Sequence, residues 1–184
     1  KKKSDKEKAR INKYQKKNEE TRKDIESICG DLRKINGKQF QIIKLLMEQD
    51  WKCAYSGAPV SFAHVMHNML EIDHVIPRSI SFDDSQGNKV AVFIGENRTK
   101  GQRTPFQYLK SGEGKISYEL FKKMVGDNKN YSRKKKEMLC YEGDIQKDIW
   151  GFIGRNLVDT RYASKKVLNL LQEYFEVNEL KTEV

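Results

Sequence analysis

A carboxylate stands directly before a histidine at Asp73 and His74, inside the segment formed by residues 71–79. Asp73 offers the hard anionic oxygen that Mg²⁺ prefers, and a histidine such as His74 can take a proton from an attacking water near neutral pH. In a regular strand the two side chains point to opposite faces, a restriction that relaxes at a strand end or a bulge. Alone, the pair is a weak indication of catalysis, because either residue can simply satisfy a local hydrogen bond.

The sequence after this pair predicts the elements that hold such a site together. Residues 70–76 and 89–94 have the branched or alternating composition of short strands, and residues 83–87 between them have the composition of a loop. A helix or tight turn follows at residues 96–101. A strand–strand–helix unit closes on itself, so that Asn97 can offer an amide oxygen to the same ion as the carboxylate. One carboxylate and one amide leave Mg²⁺ open positions for water and phosphate oxygens.

Helices are predicted on both sides of this unit. Residues 1–38 carry a narrow apolar seam at three- and four-residue steps, and Gly30 and Gly37 indicate that this helix breaks before the next one. The seam is compatible with a solvated connector, a nucleic-acid-binding helix or a coiled coil. Apolar spacing predicts further helices at residues 40–47 and 155–175. The candidate N-caps Thr104, Ser117 and Ser132 predict helices at residues 105–109, 118–125 and 133–139.

The charge is unevenly distributed along the 184 residues. The net charge is +10, and residues 1–38 hold 14 Lys and Arg against 7 Asp and Glu. This balance favours a polyanionic partner, nucleic acid before membrane. The dense basic run at residues 133–136 is either a solvated helix face or a contact to a duplex backbone. Trp51 and Trp150 are predicted to pack in cores, because no aromatic series indicates base stacking.

Several classes of protein are excluded by the sequence. No apolar run approaches the roughly 18 residues of a membrane span, and no secretory signal peptide opens the chain. The three cysteines form no Cys-x-x-Cys pair, which argues against a disulfide framework or a four-cysteine zinc site and favours a reducing, cytosolic setting. Cys53, His64 and His67 together still lack a fourth zinc ligand, so they are interpreted as ordinary residues of a loop or helix.

His74, Asn88 and Asn97, with Asp73 before the histidine, resemble the H-N-N form of the HNH (ββα-metal) endonuclease motif. An ordered set of segments extends the resemblance over nearly the whole chain, at residues 53–57, 72–79, 83–85, 88–90, 101–109 and 155–162. Together these segments resemble the HNH domain and flanking linkers of the compact type II CRISPR RNA-guided effector nucleases, the Cas9 family.

This resemblance implies an α+β, mostly helical fold, in which a small ββα-metal (HNH) core with a two-stranded antiparallel sheet is flanked by long linker helices. It divides the chain into an N-terminal linker helix (1–38), an HNH nuclease domain (39–130, with its ββα core at about 70–109), the C-terminal helices of that domain (131–154) and a linker helix toward a RuvC domain (155–184). The RuvC domain, the recognition lobe and the PAM-reading domain are expected to lie outside these residues.

The resemblance also implies a metal-dependent endonuclease that hydrolyses the DNA strand paired with a CRISPR guide RNA. Asp73 and Asn97 are then the ligands of one Mg²⁺, for which Mn²⁺ can substitute. His74 is the general base, and the products carry a 5′ phosphate and a 3′ hydroxyl. Asn88 is assigned a supporting role that fixes the loop and orients the site, in preference to direct ligation.

The implied partners are the target strand in a guide RNA–DNA heteroduplex and the rest of the effector, in the bacterial cytoplasm and away from membranes. Lys100 and Arg103 are candidates for contacts with backbone phosphates, although a solvated position is equally compatible with the sequence.

Two alternative functions stay open. One is a non-catalytic basic helical module that binds nucleic acid or protein. The other is a free-standing HNH nuclease, against which the linker segments on both sides argue.

Overall fold

The computed structural model describes residues 5–145, 147–148, 167 and 169–170. The helices of this part of the chain are α1 (Asp5–Cys29), α2 (Gly37–Glu48), α3 (Phe62–Met66), α4 (Arg78–Ser81), α5 (Ile94–Lys100), α6 (Pro105–Lys110), α7 (Tyr118–Asp127) and α8 (Arg133–Leu139). Strand β1 (Leu70–His74) lies between α3 and α4, and strand β2 (Lys89–Phe93) lies between α4 and α5. The helix predicted at residues 155–175 falls almost entirely outside the described residues, as does Trp150.

Strands β1 and β2 form an antiparallel sheet in which Leu70 pairs with Phe93 and His74 pairs with Lys89. Residues 90–92 are all buried, because α2 packs against β2 while α5 packs against both strands. Both strands occur at the predicted positions, and the predicted α+β, mostly helical fold with a two-stranded antiparallel sheet is confirmed. Within the part of the chain that is described, no helix is both long enough and apolar enough to cross a bilayer.

The outer edge of β2 is closed by a side chain instead of a third strand. Gln49 follows α2 and is buried. Its amide nitrogen donates to the carbonyl of Ala91 at 2.8 Å, and its amide oxygen accepts the Ala91 N–H at 2.7 Å. The N–H of Ala54 also donates to the Ala91 carbonyl, at 3.3 Å. Buried backbone groups without partners are costly, so these contacts allow a sheet of two strands to lie inside a helical core.

The two glycines expected to interrupt the first helix have different roles. Helix α1 ends one residue before Gly30, whose φ of +74° is a conformation that glycine adopts without steric penalty. Gly37 instead begins α2, directly after Asn36, which closes a capping box with Gln39. The helix therefore begins three residues before the start predicted at Phe40, because the capping box precedes the apolar residues on which that prediction rests.

The hydrophobic core lies where α2, the sheet, α6 and α7 meet. Trp51 packs against this core and is half-buried, in agreement with its predicted role. The fully buried core side chains include Ile43, Leu45, Leu46, Tyr55, Leu70, Tyr108 and Phe121. The predicted N-caps of three later helices are confirmed by side-chain hydrogen bonds, at Thr104 for α6, Ser117 for α7 and Ser132 for α8.

The basic run at residues 133–136 is largely neutralised within the protein. Lys135 is 1% exposed, and its ammonium group lies 2.6 Å from the carboxylate of Glu48 on α2. Lys134 pairs with Asp83, in the loop before β2, at 2.9 Å. Both interpretations made from the sequence, a solvated helix face and a duplex contact, are wrong for Lys135, because its side chain is buried and paired. These two lysines connect α8 to α2 and to the loop of the sheet.

The pair between Lys134 and Asp83 predicts a change of stability at low pH. Burial alone raises the pKa of Asp83, but hydrogen bonds from Ser85 and Lys134 outweigh burial, and the pKa lies below the ordinary value of an aspartate. An acid whose pKa is lowered by folding contributes stability above its unfolded pKa, and that contribution is lost as the pH falls through the folded pKa. Lowering the pH from 7 to about 3 is therefore expected to reduce the free energy of unfolding more in the wild type than in an Asp83→Asn variant.

Urea denaturation at the two pH values measures this difference. An Asp127→Asn variant, altered on the exposed end of α7, serves as the control and is expected to follow the wild type. An equal loss of stability in the wild type and in Asp83→Asn would contradict the prediction.

Candidate active site

Asp73 lies near the end of β1 and is held at one of its two carboxylate oxygens. The hydroxyl of Tyr55 donates to Asp73 Oδ2 at 2.5 Å, and the ammonium of Lys100 lies 2.8 Å from the same oxygen. The side chain of Lys100 has no exposed surface and also donates to the backbone carbonyl of His74 at 3.1 Å. Oδ1 of Asp73 makes no hydrogen bond or ion pair within the described part of the chain, so it is available to a ligand.

Burial and the negative charge of Asp73 both shift the pKa values of Tyr55 and Lys100. Burial, the negative charge and the hydrogen bond all raise the pKa of Tyr55 well above its ordinary value, so the hydroxyl remains a donor. Burial lowers the pKa of the Lys100 ammonium, while the charge of Asp73 and its hydrogen bond oppose this decrease.

His74 is held by the loop that follows α4. It is the last residue of β1, directly after Asp73, and the two residues pair with Lys89 and Val90. His74 Nε2 lies 2.9 Å from Asp84 Oδ1, and the ammonium of Lys89 lies 3.0 Å from that same oxygen. Asp84 therefore links the histidine to the first residue of β2.

The contact with Asp84 determines which nitrogen of His74 is basic. Burial alone raises the pKa of Asp84, but hydrogen bonds from His74 and Lys89 more than offset it, and the pKa lies below the ordinary value. The carboxylate is therefore ionised and can only accept hydrogen bonds. Because Nε2 faces this acceptor, it carries the proton, and Nδ1 is the nitrogen that remains able to take one.

Asn97 lies on α5, which packs against the sheet. Its amide nitrogen donates to Glu71 Oε2 at 2.7 Å. A carboxylate only accepts hydrogen bonds, so the NH₂ group of the Asn97 side chain faces Glu71. The amide oxygen of Asn97 is then left without a hydrogen-bond partner among the described residues. Glu71 and Asp73 are two positions apart in β1 and share a face. Asp73 and Asn97 therefore lie on one side of the sheet, where Lys100 of α5 also contacts Asp73.

Asn88, the middle residue of the motif, is buried and joins the two ends of the loop between the strands. Its side-chain oxygen accepts the N–H of Ile76 at 2.9 Å. Its side-chain nitrogen donates to the carbonyls of Ile76 and Asp83, at 2.9 Å and 2.8 Å. The carbonyl of Asn88 accepts the N–H of Val75, directly after His74, at 2.9 Å. These contacts fix the loop, while the supporting role of Asn88 in the reaction stays a prediction.

The two residues predicted to contact phosphates have partners within the protein. Lys100 is buried against Asp73, so it is not solvated and does not reach the surface. Arg103 forms a two-pronged pair with Glu113, with distances of 2.7 Å and 2.9 Å. Contacts of these two side chains with DNA stay predictions, and the observed pairs do not favour them.

The oxygens that remain available suit one hard cation. Asp73 Oδ1 and the amide oxygen of Asn97 are the kinds of ligand that Mg²⁺ accepts while it keeps several waters. Among the residues that the structure describes, no group of three His, Cys, Asp or Glu side chains is placed to hold a metal. A cation held by these two oxygens would need water or substrate oxygens to complete its coordination. Elsewhere in the described part of the chain, His64 Nδ1 accepts the N–H of Ser61 at 3.0 Å.

Three side chains at this site, Tyr55, Glu71 and Asp84, were not singled out from the sequence. Glu71 had a usable signal, because its spacing of two residues from Asp73 puts both carboxylates on one face of a strand. Tyr55 and Asp84 contact residues that are 18 and 10 positions away in the chain, and local periodicity carries no information about such contacts.

The centre of the chain matches a known endonuclease family. Residues 53–106 match the family model described as HNH endonuclease. This range contains both strands, α5 and the residues Asp73, His74 and Asn97.

A longer part of the chain is similar to Cas9 proteins. It is 49% identical over 153 residues to the CRISPR-associated endonuclease Cas9 of Staphylococcus aureus, a match that covers 77% of this chain and 14% of that protein. It is 37% identical over 157 residues to the Cas9 of Campylobacter jejuni subsp. jejuni, covering 84% of this chain and 15% of that protein.

The fold of the chain is also similar to part of a solved Cas9 structure. A crystal structure of Streptococcus thermophilus Cas9 in complex with the AGGA PAM aligns with a TM-score of 0.69 and 38% identity, covering 100% of this chain and 19% of that one. The chain thus spans less than a fifth of the length of these relatives. It belongs to the HNH endonuclease family and corresponds to the segment of the Cas9 proteins that carries this domain.

Proposed function

We propose that this chain is a metal-dependent endonuclease domain that hydrolyses a phosphodiester of the DNA strand paired with a CRISPR guide RNA. The observation that carries this proposal is that the neighbouring hydrogen bonds leave three atoms available: Asp73 Oδ1, the amide oxygen of Asn97 and His74 Nδ1. The similar Cas9 proteins are CRISPR-associated endonucleases, which supports a nucleic-acid phosphodiester as the substrate. The rest of an RNA-guided effector is the proposed partner that presents the heteroduplex.

His74 is the general base of the proposed reaction. Its Nδ1 takes a proton from the water that attacks the phosphorus. As the imidazole gains this proton, the carboxylate of Asp84, 2.9 Å from Nε2, stabilises the positive charge and holds the ring in place. The bond that breaks joins the phosphorus to the 3′ oxygen, so the products carry a 5′ phosphate and a 3′ hydroxyl.

Asp73 and Asn97 would hold one Mg²⁺, for which Mn²⁺ can substitute, and the ion would stabilise charge on the phosphate and leaving oxygens. Both protein donors to Asp73 use Oδ2, so a cation at Oδ1 competes with neither of them. Glu71 keeps the NH₂ group of Asn97 turned toward itself, and the oxygen is thereby kept for the ion. Asn88 fixes the loop beside His74.

Removing the metal or its carboxylate ligand tests this function. The chain is incubated with Mg²⁺ and an RNA–DNA heteroduplex whose DNA strand is labelled, under single-turnover conditions. The wild type is expected to nick the DNA strand slowly, because the rest of the effector is not present to hold the duplex. EDTA is expected to stop the reaction, and Asp73→Asn is expected to lower the rate by about 100-fold or more. Cleavage that survives EDTA and this substitution would overturn the proposal.

A Mg²⁺ titration followed by NMR separates this function from that of a non-catalytic basic binding module. A catalytic site predicts chemical-shift changes concentrated at Asp73 and Asn97, whereas a binding module predicts no localised change. The Asp127→Asn variant serves as the control in both experiments, because Asp127 lies on the exposed end of α7.

A further inference from the structure

The hydroxyl of Tyr55 is placed to control the orientation of the Asp73 carboxylate. It donates to Oδ2 at 2.5 Å, and the ammonium of Lys100 lies 2.8 Å from the same oxygen. Two donors on one oxygen restrict rotation of the carboxylate about its last bond and occupy that oxygen. Oδ1 is left as the oxygen that makes no hydrogen bond or ion pair in the described part of the chain.

Tyr55 is fixed by its own surroundings and not by Asp73. Its segment is anchored to β2 by the hydrogen bond from Ala54 N–H to the Ala91 carbonyl, at 3.3 Å. The turn closes where Gly57 N–H donates to the carbonyl of Cys53 at 2.9 Å, and Gly57 has a φ of +68°. A glycine meets no steric penalty in this conformation. The backbone around Tyr55 is therefore held in place independently of the site.

The ring of Tyr55 is equally constrained. It has no exposed surface and packs against Tyr108 in a T-shaped arrangement, with ring centroids 6.1 Å apart, and against Phe121 at 6.3 Å. A ring held on two sides places its hydroxyl at a defined point. The hydrogen bond from this fixed hydroxyl therefore orients the carboxylate of Asp73.

We propose that Tyr55 is a positioning residue of the metal site, whose hydroxyl turns the carboxylate of Asp73 so that Oδ1 faces the divalent cation. This inference rests on the proposed function, in which Asp73 is a metal ligand. Residues that hydrogen-bond to a metal ligand contribute to metal affinity by fixing its orientation, and their loss typically costs 10- to 100-fold. Tyr55 acts on the metal only through Asp73.

The test is a Mn²⁺ titration of the 184-residue chain, in which electron paramagnetic resonance measures the free ion. Tyr55→Phe removes only the hydroxyl and keeps the packed ring, and it is expected to weaken Mn²⁺ binding about 10-fold. In the cleavage assay, the same variant is expected to need about 10-fold more metal for half-maximal rate, while the rate at saturating metal changes little.

The matched control is Tyr108→Phe. Tyr108 is also buried, and its hydroxyl donates to Glu96 at 2.7 Å instead of to a residue of the site. This variant is expected to bind Mn²⁺ as the wild type does. The proposal is overturned if Tyr55→Phe binds Mn²⁺ as tightly as the wild type does. It is also overturned if Tyr55→Phe and Tyr108→Phe weaken Mn²⁺ binding to the same extent.

An Asp73→Asn variant separates this inference from the proposed function. If Asp73→Asn binds Mn²⁺ weakly while Tyr55→Phe binds normally, Asp73 is a ligand and only the role of Tyr55 fails. If Asp73→Asn binds as the wild type does, both fail. The rise in melting temperature on adding Mn²⁺ is a second measure of affinity, which also applies to a variant that is less stable.

Discussion

Replacing His74 with alanine is expected to slow cleavage of the DNA strand by about 100- to 10,000-fold, the usual contribution of a positioned general base. The reason is the hydrogen bond between Nε2 and Asp84, which leaves Nδ1 as the proton acceptor. Alanine removes this acceptor, and the attacking water then loses its proton to solvent. The measurement is the single-turnover rate of cleavage of a labelled strand, with the affinity for the heteroduplex determined in parallel and expected to change little.

His67→Ala provides the control for this substitution. His67 is exposed at the end of α3 and lies outside the site, so its replacement is expected to leave the rate unchanged. A His74→Ala variant that cuts at the rate of the wild type would show that another group takes the proton. Loss of duplex binding in the same variant would instead indicate that His74 contributes to recognition.

Replacing Asn88 with alanine is expected to reduce the free energy of unfolding by about 3 kcal/mol, because buried backbone groups then lose their partners. The groups affected are the N–H and carbonyl of Ile76 and the carbonyl of Asp83. The loss is expected to extend to catalysis, because the side chain of Asn88 holds the backbone of Ile76, two residues after His74. Urea denaturation at neutral pH measures the stability.

Asn97→Ala is the matched control, since it alters the same residue type in a different environment. Within the described part of the chain, the side-chain amide of Asn97 makes one hydrogen bond, to Glu71, and Asn97 is only partly buried. Loss of this hydrogen bond in Asn97→Ala is expected to reduce the free energy of unfolding by no more than about 1 kcal/mol. The same substitution is expected to reduce the Mg²⁺-dependent cleavage rate strongly. Equal destabilisation by the two substitutions would show that the buried network around Asn88 is not what holds the loop.

The parts of the fold that were predicted correctly depend on neighbours in the sequence. The strands follow from branched and alternating residues, and the starts of α6, α7 and α8 follow from Thr104, Ser117 and Ser132 with the residues just after them. Helix α4 was not predicted, because four residues are too few for a helical period to be visible.

The contacts around the site depend on residues that are distant in the sequence. Lys135 and Glu48 are 87 positions apart, so the basic run alone does not reveal that one of its members is buried and paired. In the same way, the sequence indicated that Asp73, His74 and Asn97 belong together, but not that Tyr55 and Lys100 share one oxygen of Asp73. These partners are determined by how α5, α8 and the segment before α3 fold back onto the sheet.

The closure of β2 by Gln49 has a consequence for association between molecules. A sheet of two strands normally presents unpaired backbone groups along its edges, and such edges can pair with strands of other chains and aggregate. Here the side chain of Gln49 occupies both the N–H and the carbonyl of Ala91. An incoming strand would have to displace this buried amide before it formed its own hydrogen bonds. At Ala91, a single glutamine thus protects the edge of β2 against pairing with another chain, without a covering strand.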